Sequence, residues 1–262
     1  MNPTILVLDT ETTGLQKPFC YNLGYAIYDP AADETVLERD FVVEQVWHNL
    51  PLFESAYYAN KRPQYVNAMR TRKAVMDKYG YIMAQMIRDI RDHNVSGVYA
   101  FNSGFDDRAI GFNCDYYHCK NPLDNMPVFD IRGYACTYFM SDTYRNFCDL
   151  HAEVKNAQGN YKFITDSDGY KTTAESFQCF LNYSPDFDEA HTALADCKIE
   201  LNILKTCLKM GAKLGQNYPT EKSYPRKSYK QFKLNLFGEV TEGEASTISM
   251  RKTKKGVHIT IK

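Results

Sequence analysis

Residues 4 to 9, Thr-Ile-Leu-Val-Leu-Asp, form a continuous apolar run that stops on an acid and is followed by Thr10, Glu11, Thr12, Thr13 and Gly14. An unbroken run of this length, without polar alternation, reads as a strand buried on both faces, which belongs in the middle of a sheet covered by helices. Side chains alternate along a strand, so Asp9 and Glu11 project to one side at its carboxyl end, the edge where ligands commonly bind. Two like charges held side by side raise each other's proton affinity and are best tolerated with a divalent cation between them. The competing reading of a lone Asp-x-Glu is an exposed acidic turn.

The segments downstream fit a sheet of that kind. Gly24–Tyr28 and Val36–Val43 are β-rich runs separated by the turn-forming Asp29, Pro30 and Asp33, so the first three strands read as an antiparallel meander. Between Gln64 and His93, Met76, Tyr79, Met83, Met86 and Ile90 recur at steps of three and four, which predicts a helix or a pair of helices. Gly97–Phe101 reads as a strand leading into a helix from about Asp106, and Pro127–Ile131 as a strand leading into a helix over Arg132–Met140. Residues 151–175, with Gly159, Gly169 and Asp166-Ser167-Asp168, read as an irregular excursion or small hairpin, its role open. The last strong helix spans Thr192 to Met210, with Leu194, Cys197, Leu201, Leu204 and Leu208 on one face and Gly211 as its stop. Strands first, then strands alternating with helices, predict an α/β fold with a central mixed sheet flanked by helices.

Composition narrows the class. The 262 residues are 44% hydrophobic and 24% charged, enough for a substantial core without disulfide or metal staples. No apolar stretch approaches the ~18 residues of a bilayer span, so we expect a cytoplasmic protein without membrane contact. Cys114, His118, Cys119, Cys136, Cys148 and His151 fall in one region, but their spacing does not reproduce the paired short loops of structural zinc sites, and ordinary thiols are expected. The net charge of -1 divides unevenly: residues 213–262 carry eleven Lys and Arg against four acids, leaving 20 basic and 28 acidic residues before them. We therefore expect an acidic metal-binding or catalytic domain over 1–212 and a basic, aromatic tail over 213–262 that meets a polyanion or a partner protein, the competing reading being a solubilising tail. The tail opens with a linker over Leu214 to Ser228 and ends in a β-hairpin around Lys254-Lys255-Gly256.

Two further acidic points stand in register with the first. Asn102-Ser103-Gly104-Phe105-Asp106 follows the strand ending at Phe101, which brings Asp106 to the same sheet edge, with Asp107 as a near rival. His191-Thr192-Ala193-Leu194-Ala195-Asp196 opens the final helix, placing Asp196 one turn inside it; alone, His191 reads as a structural helix-terminus residue. Taken in order, Asp9-Thr10-Glu11-Thr12-Thr13-Gly14, Asn102-x-x-Phe105-Asp106 and His191-x-x-x-x-Asp196 resemble the three motifs of the histidine-bearing DEDD exonucleases, the DnaQ-like proofreading enzymes. The resemblance covers residues 1 to about 210, and Ser55-Ala56-Tyr57-Tyr58-Ala59-Asn60-Lys61 is similar to phage-encoded members.

The resemblance implies a ribonuclease H-like three-layer fold and a 3′ to 5′ exonuclease that hydrolyses single-stranded or frayed DNA to nucleoside 5′-monophosphates in replication, repair or phage DNA metabolism. Such hydrolysis needs positive charge beside both the attacking and the leaving oxygen, which two divalent ions supply. Asp9, Glu11, Asp106 and Asp196 are the implied ligands, hard oxygen donors suited to magnesium or manganese. His191 is the implied general base. The family also implies that Thr12, Thr13, Gly14 and Leu15 meet the 3′-terminal nucleotide, with Asn102 and Phe105 near the site; Leu15 and Phe105 could equally be core.

In the tail, Tyr218, Tyr224, Tyr229, Phe232 and Phe237 alternate with Lys222, Arg226, Lys227, Lys230 and Lys233, a composition suited to single-stranded nucleic acid or to a solvated linker. Leu234-Asn235-Leu236-Phe237 resembles the short peptides with which replication proteins dock on sliding clamps, so a clamp or a polymerase is an expected partner; the alternative is a strand that packs back on the body. Two other readings of the whole chain stay open: an exoribonuclease or oligonucleotide-processing enzyme, because no residue discriminates the sugar, and a replication accessory protein whose nuclease site has lapsed.

Overall fold

The computed structural model describes residues 3–156, 158–165, 169–221, 223–225, 230–234, 240–244, 248–253 and 256–261, with side chains described through residue 221. Three long antiparallel strands, β1 (Thr4–Thr12), β2 (Cys20–Asp29) and β3 (Glu34–Val43), lead into the short helices α1 (Glu44–Trp47) and α2 (Leu50–Glu54), then α3 (Arg62–Arg70). Next come β4 (Val75–Asp77), α4 (Tyr79–Asp92), β5 (Val95–Ala100), α5 (Gly104–Tyr116), β6 (Val128–Asp130), α6 (Ile131–Phe139) and α7 (Asp142–Leu150). The strands form one six-stranded mixed sheet in the order β4-β3-β2-β1-β5-β6, with β5 parallel to β1, β6 parallel to β5, and β4 parallel to β3.

Strand β1 sits at the centre, and its alternation builds both cores. Leu6 and Leu8 pack with Leu23, Tyr25, Tyr79, Met83, Met86 and Ile110 on the side of α4 and α5. Ile5 and Val7 pack with Ala26, Tyr99, Tyr134, Cys197 and Leu204 on the other side, against α6 and the long C-terminal helix α9 (Ala193–Lys209), which follows β7 (Gly169–Lys171) and α8 (Ala174–Asn182). By this pattern Asp9 and Glu11 share the α9 side of the sheet, while Thr10 faces α5.

The N-terminus of α9 lies directly on β2. Gly24 touches it so closely that a methyl group there would overlap Leu194 N and Ala193 C. Thr192 provides no side-chain cap, and the buried Asn22 of β2 replaces it: its Oδ1 accepts from Ala193 N at 2.7 Å, and its Nδ2 donates to Asp40 Oδ1 at 2.6 Å and Phe41 O at 2.9 Å.

Three differences from the sequence expectations have physical causes. The stretch predicted as helical over 64–93 is split by β4, where Val75 and Met76 hydrogen-bond along β3, so Met76 belongs to the sheet edge. Helices α7 and α8 were absent from the sequence reading; both start on hydroxyl caps, Ser141 and Thr173. The excursion over 151–175, expected as irregular or a small hairpin, does carry antiparallel bridges, between Lys155 and Tyr161 and between Ile164 and Tyr170. Finally, the expected linker at 214 to 228 is not loose in its first half. Tyr218 packs against Tyr134 and Tyr138 of α6 at ring distances of 4.6 and 5.7 Å, Gly133 leaves the room for it, and Gly215 N donates to Tyr99 Oη at 2.8 Å.

Beyond it, β8 (Ser223–Pro225) pairs with β7, β9 (Lys230–Leu234) with β10 (Val240–Glu244), and β11 (Ile248–Thr253) with β12 (Gly256–Ile261), all antiparallel. Leu234 stands opposite Val240 in this register, while Leu236 and Phe237 of the expected clamp peptide lie outside the described residues. Among the described residues no helix is long and apolar enough to cross a membrane. Gly24→Ala is expected to destabilise the protein by about 2 kcal/mol or more through overpacking against α9, read as a lowered urea midpoint; an unchanged midpoint would refute the contact.

Candidate active site

The carboxyl end of β1, the start of α5 and the start of α9 converge at one edge of the sheet. Asp9 stands at the centre: its charge raises the proton affinity of Glu11, Asp106 and Asp196. Oxygen atoms of Glu11 and Asp196 and a ring nitrogen of His191 lie within 4.8 Å of one another, close enough to share one cation. Asp106, in the first turn of α5, is buried and reaches back to β1, where its Oδ1 accepts from Thr10 N at 3.0 Å and Thr10 Oγ1 at 2.7 Å. Asp107 is exposed, whereas Asp106 is the buried one of the two and the one bonded to β1.

Burial dominates the electrostatics. Removal from water pushes the Asp9 carboxyl up to about 7 and, with the charge of Asp9 added, Glu11 to about 8 and Asp196 to about 10; Asp106 moves the same way. Glu11 has one compensating donor, Tyr21 Oη at 3.3 Å. Asp196 Oδ1 is buried without a hydrogen-bond partner. An orphaned buried carboxylate oxygen beside three other acids is what a hard divalent cation would satisfy, so the donor set fits magnesium or manganese. Cys114, His118, Cys119, Cys136, Cys148 and His151 form no comparable cluster among the described residues, and the eight cysteines are all free thiols.

His191 is held in the left-handed backbone region, φ 53°, just ahead of α9. Its ring stacks on Tyr58 at a centroid distance of 4.0 Å and an interplanar angle of 12°, and its carbonyl accepts from Tyr65 Oη at 3.3 Å. Burial, reinforced by the nearby Lys61 charge, lowers the imidazole to about 4, so the ring is neutral at physiological pH and able to accept a proton. Its Nδ1 lies 3.9 Å from Glu189 Oε2.

The remaining expected residues take different positions. Thr12 ends β1 and donates from Oγ1 to Gly14 O at 3.3 Å, and Thr13 N donates to Phe19 O at 2.9 Å, tying down the turn. Leu15 is 75% exposed, which removes the core alternative. Phe105 is half-buried with the Arg108 guanidinium 5.4 Å from its ring centre. Asn102 is exposed, with φ 61°, and its N–H donates to Asp130 Oδ1 at 2.8 Å.

Three groups escaped the sequence reading. Glu189, pushed up to about 8 by burial and by the charges of Glu175 and Asp9, sits beside His191. Glu200 is a further buried acid near Asp9 and Asp106, and its Oε2 accepts from Phe101 N at 3.1 Å, bracing the turn that precedes Asp106. Tyr58 stacks on the histidine. Glu200 carried a local signal in its i+4 spacing from Asp196 on one helix face, and Glu189 in lying two residues before His191, whereas nothing in the sequence paired Tyr58 with the histidine.

No family model matches the sequence, and no curated protein matches it. Solved structures do match in fold. Escherichia coli exonuclease I in complex with a dT13 oligonucleotide superposes with a TM-score of 0.51 at 14% identity, covering 78% of this chain and 41% of that one. The nuclease domain of 3′hExo, a DEDDh family member bound to rAMP, gives 0.51 at 12% identity over 79% of this chain and 92% of that one. A 3′-exonuclease that recognises the 3′ end of histone mRNA stem-loop gives 0.52 at 11% identity over 91% and 89%. The chain spans about two fifths of the length of the exonuclease I chain it matches. These likenesses show a ribonuclease H-like α/β fold.

Raised carboxyl values make the metal-free protein sensitive to pH. Between the ordinary carboxylate value and about 7, 8 and 10 for Asp9, Glu11 and Asp196, the folded state binds more protons than the unfolded state, so stability falls as pH rises through that window. Calorimetry in chelator is expected to show a lower Tm at pH 9 than at pH 6. Asp196→Asn should raise the pH 9 value by about 3–6 °C, and excess Mg2+ or Mn2+ should stabilise the parent but not the variant; equal melting at both pH values would refute the reading.

Proposed function

We propose that the protein is a divalent-metal-dependent 3′ to 5′ exonuclease that removes nucleoside 5′-monophosphates from single-stranded or frayed DNA ends. The observation that carries this reading is the meeting of Glu11, Asp196 and a neutral His191 within 4.8 Å, with Asp196 Oδ1 unpartnered and the charge of Asp9 acting on Glu11, Asp106 and Asp196. Likeness in fold to exonucleases crystallised with dT13 and with rAMP supports it.

In this reading Asp9, Glu11, Asp106 and Asp196 hold two divalent cations, which when bound neutralise the phosphate charge and favour attack by water. The chain's own groups do the rest. His191, neutral before substrate arrives, takes the proton of the attacking water, with its ring held by stacking on Tyr58 and Glu189 Oε2 3.9 Å from Nδ1. Leu15 and Tyr57, 75% and 71% exposed, offer apolar surface to the terminal bases, and the Thr12-Thr13-Gly14 turn lets the chain come close to the last nucleotide. The basic tail after residue 212 contributes phosphate contacts, and its Leu234-to-Phe237 peptide is the proposed clamp contact.

A second substrate has support of its own, since two of the structural neighbours are described with rAMP and with histone mRNA. Digestion of 5′-labelled single-stranded DNA and of matched RNA decides between them. The expected result is a DNA ladder shortening from the 3′ end, abolished by chelator and by Asp196→Ala. His191→Ala should lower kcat by roughly 10²–10⁴-fold. Cleavage by Asp196→Ala at the parental rate would overturn the assignment, and faster loss of RNA than DNA would reassign the substrate.

A further inference from the structure

Lys162 is the most deeply placed cation among the described side chains, and the proposed chemistry makes no use of it. It comes from the irregular excursion between α7 and α8, anchored there by Lys162 N donating to Val154 O at 3.0 Å. From that position its ammonium reaches into the loop joining α8 to α9. Nζ lies 2.6 Å from Asp188 Oδ1, 2.5 Å from Phe187 O, 3.5 Å from Pro185 O and 3.6 Å from Glu175 Oε1. A buried ammonium is expensive unless oxygens surround it. Here three of the four oxygens belong to one short stretch, 185–188, that ends three residues before His191.

His191 needs such support. A histidine at φ 53° sits in a sparsely populated backbone region and stays there only when its surroundings over-determine it. Restraint arrives from the C-terminal side through Asn22 on Ala193 N, and from the flank through Tyr58 on the ring and Tyr65 on the carbonyl. On the N-terminal side the loop is held by Lys162, and its further contacts include Cys179 Sγ, 3.5 Å from Phe187 O, Cys179 O, which accepts from Ser184 N at 3.0 Å, and Glu175 of α8, which accepts from the Glu189 backbone.

We propose that Lys162 is a positioning residue for the general base: the excursion exists to deliver one buried ammonium that clamps the 185–188 loop and so fixes His191 over the carboxylate cluster. The proposal deepens the nuclease reading and rests on it. It also assigns a role to residues 151–175, which the sequence leaves without one. The clamp acts through geometry, so its loss displaces the base while leaving the strand-binding surface around Leu15 and Tyr57 in place.

The test is steady-state cleavage of labelled single-stranded DNA by the full chain. Lys162→Met is expected to lower kcat by about 10²-fold, the scale of an ångström-sized misplacement, with KM within roughly threefold of the parent. Combined with His191→Ala, it should add no further loss, because a residue that acts only through His191 has nothing left to position. Additive losses in the double variant, a folded Lys162→Met with parental kcat, or a rise in KM at constant kcat would each overturn the proposal. Should Lys162→Met fail to fold, Asp188→Asn, on a half-exposed residue, keeps the question open to measurement: a fall in kcat of roughly 3–10-fold is expected from one lost charged contact, and parental kcat would reject the clamp. If the parent cuts neither DNA nor RNA, the nuclease reading fails by itself. The His191 ring resonances then report on the clamp directly, shifting in Lys162→Met if it holds and staying in place if it does not.

Discussion

The contact on which the site depends is the seating of the α9 N-terminus on β2. Gly24 removes the side chain that would hold the helix away, and Asn22 supplies the acceptor that the first turn of α9 lacks. With the helix end fixed this way, Asp196, one turn in, and His191, just before it, are brought against Glu11 at the end of β1. A separation of about 180 residues in sequence is closed by one glycine and one amide. The other wall is built on the same logic, with Asp106 bonded to both Thr10 N and Thr10 Oγ1, so that α5 is tied to β1 by one of the acids proposed as a metal ligand.

Such an arrangement works against the stability of the fold. Asp9 lies close enough to five other buried carboxyls to raise the proton affinity of each: Glu11, Asp106, Asp196, Glu189 and Glu200. Burial disfavours every one of these charges and mutual repulsion adds to it, while the described donors, Tyr21, Thr10 and Phe101 N, satisfy only part of the set. The two aliphatic and aromatic cores on either side of the sheet supply the stability that tolerates this cluster. A cation would relieve repulsion and orphaned oxygen together, so ligand affinity and fold stability are coupled at this edge.

Much of this was legible in the sequence because it is written in short-range pattern. The unbroken Ile5-to-Leu8 run identified the central strand, the i, i+2 spacing put Asp9 and Glu11 on one side, and the apolar stripe from Leu194 to Leu208 identified α9. What was missed depends on contacts that pattern does not encode. Strand β4 is three residues long and exists because β3 offers it an edge, so the step from Met76 to Tyr79 passed for helical period. Tyr218 reads as a linker residue until the gap above Gly133 is known. Tyr58 meets His191 through the fold, about 130 residues away in sequence, and no local rule pairs them. Leu15 carries the reverse lesson, an apolar residue beside the site that the fold leaves uncovered.

The histidine shows why a site of this kind recruits more of the chain than its reactive groups. Burial and the Lys61 charge hold the imidazole neutral, which makes it a competent acceptor but deprives it of the charge that could anchor it to the surrounding acids. Its position must therefore come from contacts that work on a neutral ring and a backbone: the face of Tyr58, the Tyr65 hydroxyl on its carbonyl, and restraint of the loop that precedes it. Each comes from a different segment, α3 and the turn before it on one flank and the excursion after α7 on the other. A neutral His191 thus depends on packing for its position, and that packing comes from segments that also feed the cores, Tyr65 of α3 on one side and Phe163 of the excursion on the other.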